Sequence, residues 1–215
     1  MQAVLAIRGR TDESRIRGQV RAALARPSSL RLEGVGPFGR ISFVLVVSPG
    51  QAVLVLPRER QVVTGERAGD LVAALTGLAL DADELRAVLT GCVVSDATPI
   101  GGRTYPGGWS VIHVEEGGSV YLRTIDEQNV VVAGARPDLA IEYSDHVRGL
   151  PRRVEVRTIG ATPATTLSAT ISQVSLNTDL DPHVFLAEVP DDHVPITLDE
   201  LRQGERPLSD LTGQE

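Results

Sequence analysis

Residues 41–56 have the sequence ISFVLVVSPGQAVLVL, and this stretch decides the fold class. Two runs rich in valine and leucine, at 41–47 and 52–56, flank Ser48-Pro49-Gly50, which is a typical tight-turn sequence. Side chains on both faces of each run are apolar, a pattern typical of strands that are buried on both sides. We therefore predict a central antiparallel hairpin that is covered on both faces.

Outward from this hairpin, most of the chain alternates between apolar and polar residues with a period of two, as strands with one solvated face do. The alternation covers residues 15–24, 30–33, 139–143, 153–157 and 167–172. Further strands are predicted at 109–114, 119–125 and 129–133. We expect a mainly β (α+β) fold with about ten or eleven strands in a curved, unclosed antiparallel sheet.

Residues 67–91 break the strand pattern. Apolar residues in the first part recur at i, i+3, i+4 and i+7, the spacing of a helix, and Gly77 suits its end. A second helix is predicted to begin after Asp81, where Glu84 completes a capping box, and to end at Gly91. A pair of helices needs an apolar surface to cover. We predict that the two form a lid over the concave face of the sheet.

No linker or internal repeat divides the chain, so we expect one domain over residues 1–215. A short third helix is predicted to begin at Thr197, with Glu200 three residues on. The polar tail from Gln203 onward is expected to fray.

Composition excludes several classes of function. The net charge of −7 argues against a general nucleic-acid binder. No run of 18 apolar residues exists, so no helix is predicted to span a membrane. The single cysteine, Cys92, allows neither a disulfide within the chain nor a multi-cysteine metal site. Aromatic residues make up only 3% of the chain, and a cavity lined by Val, Leu, Ala and Ile suits alkyl chains better than flat rings.

The apolar run in the first eight residues, MQAVLAIR, is too short for a signal peptide, and a charged residue follows it too early. This leaves two interpretations, a cytoplasmic protein or an exported one whose export segment lies outside this sequence.

Two glycine-containing motifs have weak support. Gly34, Gly36 and Gly39 match the spacing of a dinucleotide-binding loop, but a strand follows them instead of the helix whose N-terminus would hold phosphate. The stretch 89–92, Leu-Thr-Gly-Cys, resembles a lipoprotein cleavage site but follows an amphipathic helix in mid-chain. Loop-shaping glycines and a small buried thiol explain these motifs better.

Neither catalytic residues nor metal ligands are predicted. Histidines and aspartates at 181–193 could form a metal site, but a solvated loop accounts for them better. Residues 144–146, Ser-Asp-His, are triad residue types, but sequence neighbours cannot adopt triad geometry. We expect no cofactor.

The loop Gly34–Gly39 has Phe38 at its tip, and two interpretations stay open. Phe38 could fold back and cap the core, or it could project as an exposed apolar probe for a membrane or a partner.

The order of features over residues 28–91 resembles the LolB branch of the LolA/LolB lipoprotein-carrier family. Ser29-Leu30-Arg31-Leu32 leads into Gly36-Pro37-Phe38-Gly39 and the central hairpin, and then into helices that contain 75–77, Leu-Thr-Gly, and 89–91, Leu-Thr-Gly. The resemblance implies a half-barrel with a helical lid and an apolar cavity for lipid acyl chains or lipoproteins. The helix that normally precedes the first strand of that family is absent from this pattern.

The resemblance also assigns roles to residues. It implies that Pro37 and Phe38 form a loop that contacts a membrane or cargo. It implies a periplasmic monomer in peripheral contact with a membrane and anchored to the outer membrane by an N-terminal lipid outside this sequence. The expected ligand-binding residues are Leu32, Phe43, Leu45, Leu54, Leu71, Leu75, Leu85, Leu89 and Trp109.

Three functions compete at this point. The first is an ATP-independent carrier or acceptor of acylated cargo, moving it toward the outer membrane. The second is a non-transport envelope lipoprotein that binds a protein partner as a scaffold or sensor. The third is a hydrolase of lipid substrates, which the missing nucleophile motif disfavours. A carrier needs an open cavity, whereas a scaffold would fill its interior with side chains.

Overall fold

Period-two alternation produces strands along most of the chain in the computed structural model, which describes residues 1–10, 15–93 and 98–204. Over these residues, 14 strands join into one large, curved, unclosed sheet. The strands are β1 Gln2–Arg10, β2 Arg15–Ala25, β3 Ser29–Val35, β4 Ile41–Ser48, β5 Gln51–Leu56, β6 Gln61–Thr64, β7 Pro99–Tyr105, β8 Trp109–Val114, β9 Gly118–Ile125, β10 Gln128–Ala135, β11 Leu139–Ser144, β12 Arg153–Thr158, β13 Thr166–Ser175 and β14 Val194–Pro195. The predicted fold class is confirmed.

The strand order across the sheet is β14-β6-β5-β4-β3-β2-β1-β13-β12-β11-β10-β9-β8-β7. Neighbours pair antiparallel, except that the two-residue β14 runs parallel to β6. The expected strand number was too low, because β1, β7 and β14 were not predicted. The first eight residues, which were considered only as a signal peptide, belong to β1. This strand lies between β2 and β13 near the middle of the sheet.

The three helices in the described residues are α1 Ala68–Thr76, α2 Ala82–Thr90 and α3 Leu198–Gln203. Gly77 ends α1 in the left-handed conformation at φ 79°. The Asp81 carboxylate accepts from the Glu84 N–H at 2.8 Å, and Glu84 accepts from the Asp81 N–H at 3.0 Å. Thr197 and Glu200 form the same reciprocal cap before α3. All three predicted helices are confirmed.

The hydrophobic core lies between the concave face of the sheet and the helices. It receives the inward-facing residues of β1–β6 and β11–β13 together with the apolar stripes of α1, α2 and α3. On the convex, outer face, Val53, Val55 and Val62 form a second cluster against Val44 and Ala187. Ala187 belongs to the segment that follows a short 3-10 turn at Pro182–Phe185. The prediction that the central hairpin is covered on both faces is therefore confirmed.

None of the helices in the described residues has the length and apolar character needed to cross a membrane. The tail that was expected to fray from Gln203 falls mostly at 205–215, outside the described residues.

Candidate functional site

The helical lid lies over the residues that we predicted from the sequence to meet in the interior. Leu32, Phe43, Leu45, Leu54, Leu71, Leu75 and Leu89 are all buried in one core cluster, and Leu85 is half-buried against it. The side chains therefore approach a common interior, as expected. They contact one another there, so this part of the concave face is filled by the protein's own side chains.

Two contacts attach α2 to β10 and to the turn that follows it. Arg136, just after β10, donates from Nη1 to Glu84 Oε1 at 2.7 Å, and its other nitrogens donate to Asp138. At the C-terminal end of α2, Val93 packs so tightly on Gly134 of β10 that a β-carbon there would collide with it. Glu84 thus caps its own helix and holds it to the β10–β11 turn.

Beyond the lid, strands β7–β10 form an arm of the sheet, and the pairing register of β8–β10 assigns its inner face. Gly134 faces the core because it meets Val93, and it pairs with Val120, which in turn pairs with Ile112. Alternation along β9 and its pairing with β10 place two further apolar residues on this face, Leu122 and Val131.

This inner row, Ile112, Val120, Leu122 and Val131, is only half-buried. Val120 and Val131 pack against the edge of the core cluster. The row therefore continues the apolar concave face past the part that the described helices cover.

Trp109 lies on the opposite face of this arm. It is three residues from Ile112 on β8, so its side chain points outward, and it is 40% exposed. The guanidinium carbon of Arg123 lies 5.4 Å from the centroid of its ring. The structure does not bring Trp109 together with the other expected ligand-binding residues.

The loop between β3 and β4 projects into solvent. Pro37–Gly39 form a 3-10 turn in which Phe38 has φ 60° and ψ 22°, the left-handed region that phenylalanine rarely adopts. The Phe38 side chain is 101% exposed, so it does not cap the core. The open question about Phe38 is resolved in favour of the exposed tip.

The first glycine of this loop region has a packing role. Gly34 is buried in β3, where a β-carbon would collide with the ring of Phe43 on β4 and lie 2.8 Å from Ser42 Oγ. The strand β4 follows the loop, so the glycine spacing serves strand packing here.

Polar chemistry in the interior is sparse. Burial raises the pKa of Tyr143; its hydroxyl lies close to the Val93 backbone but forms no hydrogen bond of good geometry within the described residues. The described residues also hold no group of three or more His, Cys, Asp or Glu side chains arranged to bind a metal ion. Cys92 is exposed, contrary to the expected buried thiol, and accepts from Thr90 Oγ1 at 3.4 Å.

The unclosed sheet with helices across its concave face is a LolA-like fold, similar to that of two solved structures. A LolA superfamily protein from Nitrosomonas europaea is similar, with a TM-score of 0.58 and 12% identity over 86% of this chain and 89% of that one. A DUF1329 family protein from Desulfovibrio piger has a TM-score of 0.51 and 9% identity over 86% and 88% of the two chains.

A putative outer membrane lipoprotein-sorting protein domain from Vibrio parahaemolyticus has a TM-score of 0.46 and 8% identity, over 86% of this chain and 88% of that one. The likeness in fold rests on the other two structures. No protein-family model and no curated protein matches the chain.

Proposed function

We propose that this protein is a non-enzymatic carrier that binds acyl chains of lipids or lipoproteins on its concave face. The observation that carries the proposal is the half-buried inner row of the arm, Ile112, Val120, Leu122 and Val131, which joins the interior beneath α2. An acyl chain that lies along this row covers apolar surface which the described lid leaves open to solvent.

The energetics suit reversible binding. Each buried methylene contributes about 0.8 kcal/mol, so a chain that buries eight of them gains roughly 6 kcal/mol before the costs of association. Cargo of this kind can therefore be bound and released without ATP. A longer chain gains more only if it continues under α2, which must then move away from β10.

The proposal includes the cellular setting that the sequence resemblance implies. The protein acts in the periplasm and delivers acylated cargo toward the outer membrane, to which an N-terminal lipid attaches it, as in the LolB branch. Phe38 supports this part, because a fully exposed phenylalanine in a strained turn is stabilised by no contact of its own fold. Its role is to enter the membrane or the cargo during transfer.

A matched pair of variants tests acyl binding. Ile112 and Val111 are neighbours on β8, both half-buried, and they lie on opposite faces. Ile112→Asn should weaken binding of a fluorescent fatty acid by about tenfold, since a fully buried isoleucine contributes about 1.5–3 kcal/mol and this one is half-buried. Val111→Asn should leave the affinity unchanged. Equal effects of the two variants, or no binding by the parent protein at micromolar ligand, would reject the proposal.

The packed interior favours a second candidate, a scaffold that binds a protein partner. Seven of the expected ligand-binding leucine and phenylalanine side chains are already buried against one another. Organic extraction of the purified protein followed by mass spectrometry separates the candidates. Bound lipid at a stoichiometric level supports the carrier, and its absence together with failed fatty-acid binding supports the scaffold.

A further inference from the structure

The outer face of the arm carries an unusual concentration of aromatic and cationic side chains. Cross-strand pairing aligns Tyr105 of β7 with Trp109 of β8 and Trp109 with Arg123 of β9. The next row on the same face aligns Arg103 with Val111 and Val111 with Tyr121. We define the aromatic–arginine patch as Arg103, Tyr105, Trp109, Tyr121, Arg123 and Ile125.

Five of these side chains are open to solvent, and Tyr121 is half-buried. Tyr105 is 48% exposed, Trp109 40% and Ile125 43%, and both arginines are exposed. The chain has one tryptophan and three tyrosines, so this patch holds the tryptophan and two of the tyrosines. At the central hairpin, by contrast, the outer face is covered by the segment around Ala187. Exposed aromatic residues that gather in one patch often mark a contact site.

The arginines give the patch its charge. Neither Arg103 nor Arg123 forms an ion pair with a carboxylate of the described residues, and the guanidinium of Arg123 stacks over the Trp109 ring instead. Tryptophan and tyrosine settle at the headgroup depth of a bilayer, with the ring in the apolar zone and the polar atom facing water. Arginine extends its stem along apolar surface and keeps its charge among the phosphates.

We propose that the aromatic–arginine patch docks the arm on an anionic phospholipid bilayer at headgroup depth. This surface is separate from the Phe38 loop, because β2, β1 and β10–β13 lie between the two in the strand order. It is also independent of acyl binding, since the patch and the inner row are on opposite faces.

Two observations favour a bilayer over other occupants. Arg123 covers one face of the indole, which removes a stacking surface that a sugar ring would use. Every residue of β7 is exposed, so the edge of the arm is open on both faces, as shallow immersion among headgroups requires. The net charge of −7 opposes approach to an anionic surface, but salt screens that repulsion beyond about 8 Å and leaves the contact arginines effective.

Trp109 itself reports on the interaction, because it is the only tryptophan of the chain. The protein is mixed with vesicles of phosphatidylcholine and phosphatidylglycerol, and emission is recorded with acrylamide quenching. We expect a blue shift and reduced quenching with these vesicles, much weaker changes with pure phosphatidylcholine, and stronger quenching by headgroup-labelled than by deep-chain-labelled lipids.

Charge-matched variants separate specific docking from general attraction. Each arginine near an anionic surface strengthens binding about fivefold, so Arg103→Gln with Arg123→Gln should weaken vesicle binding about 25-fold. The control is Arg153→Gln with Arg157→Gln, which alters the net charge equally at two exposed outer-face positions of β12. The control should bind almost as the parent does, and circular dichroism verifies that both variants fold.

Any of three outcomes overturns the proposal: absence of a blue shift with anionic vesicles, an equal shift with pure phosphatidylcholine, or an equal loss of vesicle binding in the two double variants. A shift with soluble glycan fragments or a protein extract, and none with vesicles, would assign the patch to that partner instead. Ile112→Asn should keep the vesicle response, so failure of acyl binding and failure of membrane docking are distinguishable.

Discussion

Arg136 holds α2 to the β10–β11 turn, and its removal is the sharpest test of how the proposed cargo would enter. The Arg136 side chain is only 15% exposed and the Glu84 side chain 28%, so their 2.7 Å contact is partly shielded from water. Arg136→Ala removes this bond while the Asp81–Glu84 helix cap stays intact. The variant therefore loosens α2 without removing the helix.

The size of the effect can be estimated from these contacts. A hydrogen bond between charged groups contributes about 1.5–3 kcal/mol when buried, and partial exposure reduces this to about 1–2 kcal/mol. A change of that size raises the population of a detached α2 about five- to thirtyfold. If cargo enters only when α2 is detached, its association rate rises by the same factor.

The assay is stopped-flow mixing of the protein with a fluorescent fatty acid, paired with amide hydrogen exchange across residues 82–90. Arg157→Ala is the control, since the Arg157–Glu142 pair is 3.9 Å long, exposed, and distant from the lid. Faster association and faster exchange in Arg136→Ala alone would support entry at α2. Faster exchange with an unchanged association rate would refute it, because the lid would then open without admitting cargo.

Three further predictions concern packing and the exposed loop. Gly134→Ala places a β-carbon 2.7 and 3.0 Å from two atoms of Val93 and should destabilise the fold by about 1–3 kcal/mol in urea unfolding. Adding Val93→Ala to this variant should relieve the overlap. If the destabilisations by the two substitutions simply add in the double variant, the contact between Gly134 and Val93 is contradicted. Phe38→Glu should change stability by less than about 0.5 kcal/mol yet slow transfer of bound fatty acid to vesicles, whereas a large loss of stability would show that Phe38 packs. Tyr143→Phe removes a buried hydroxyl that forms no well-aligned hydrogen bond, so stability should be unchanged or about 1 kcal/mol higher, and a clear loss would reveal a hydrogen bond to the nearby Val93 backbone.

Local sequence signals were sufficient to predict the elements whose ends are marked by capping residues or by glycines. The helices α1 and α2 end at glycines in the left-handed conformation, and α2 and α3 begin at reciprocal caps, so both ends of α2 were predictable from residue types alone. Strands with one polar face were equally clear because burial enforces the alternation.

The strands that were not predicted either lack such a signal or lie where the sequence suggested another interpretation. β7 contains Gly101-Gly102 and is exposed at every residue, so neither propensity nor burial marks it. β14 is two residues long and depends entirely on its parallel pairing with β6. β1 does alternate, with Ala3, Leu5 and Ile7 buried, but this stretch was considered only as a signal peptide, which was excluded, and not as a strand.

The candidate site could be predicted only in part, for a geometric reason. Alternation along 109–114 and 119–125 separates two sets of side chains, but it does not say which set faces inward. That choice depends on the pairing of Gly134 with Val120 and on the contact of Gly134 with Val93, which join distant parts of the chain. Trp109 was therefore assigned to the interior, and the inner row with Ile112 was not recognised.

The two lid helices differ in where they are held, and this difference bears on how a filled interior could admit the proposed cargo. α1 buries Leu71, Val72 and Leu75 and packs against both β5 and α3, so lifting it exposes three fully buried side chains at about 1.5–3 kcal/mol each. α2 buries Val88 and Leu89 together with two alanines, but its Leu85 is only half-buried, and the helix is tied to the β10–β11 turn through Arg136. Ten buried methylenes contribute about 8 kcal/mol, which is comparable to the large buried side chains and the Arg136 contact of α2 and smaller than the contacts of both helices together. We therefore expect an acyl chain to enter from the arm, beneath α2, while α1 keeps the rest of the core closed.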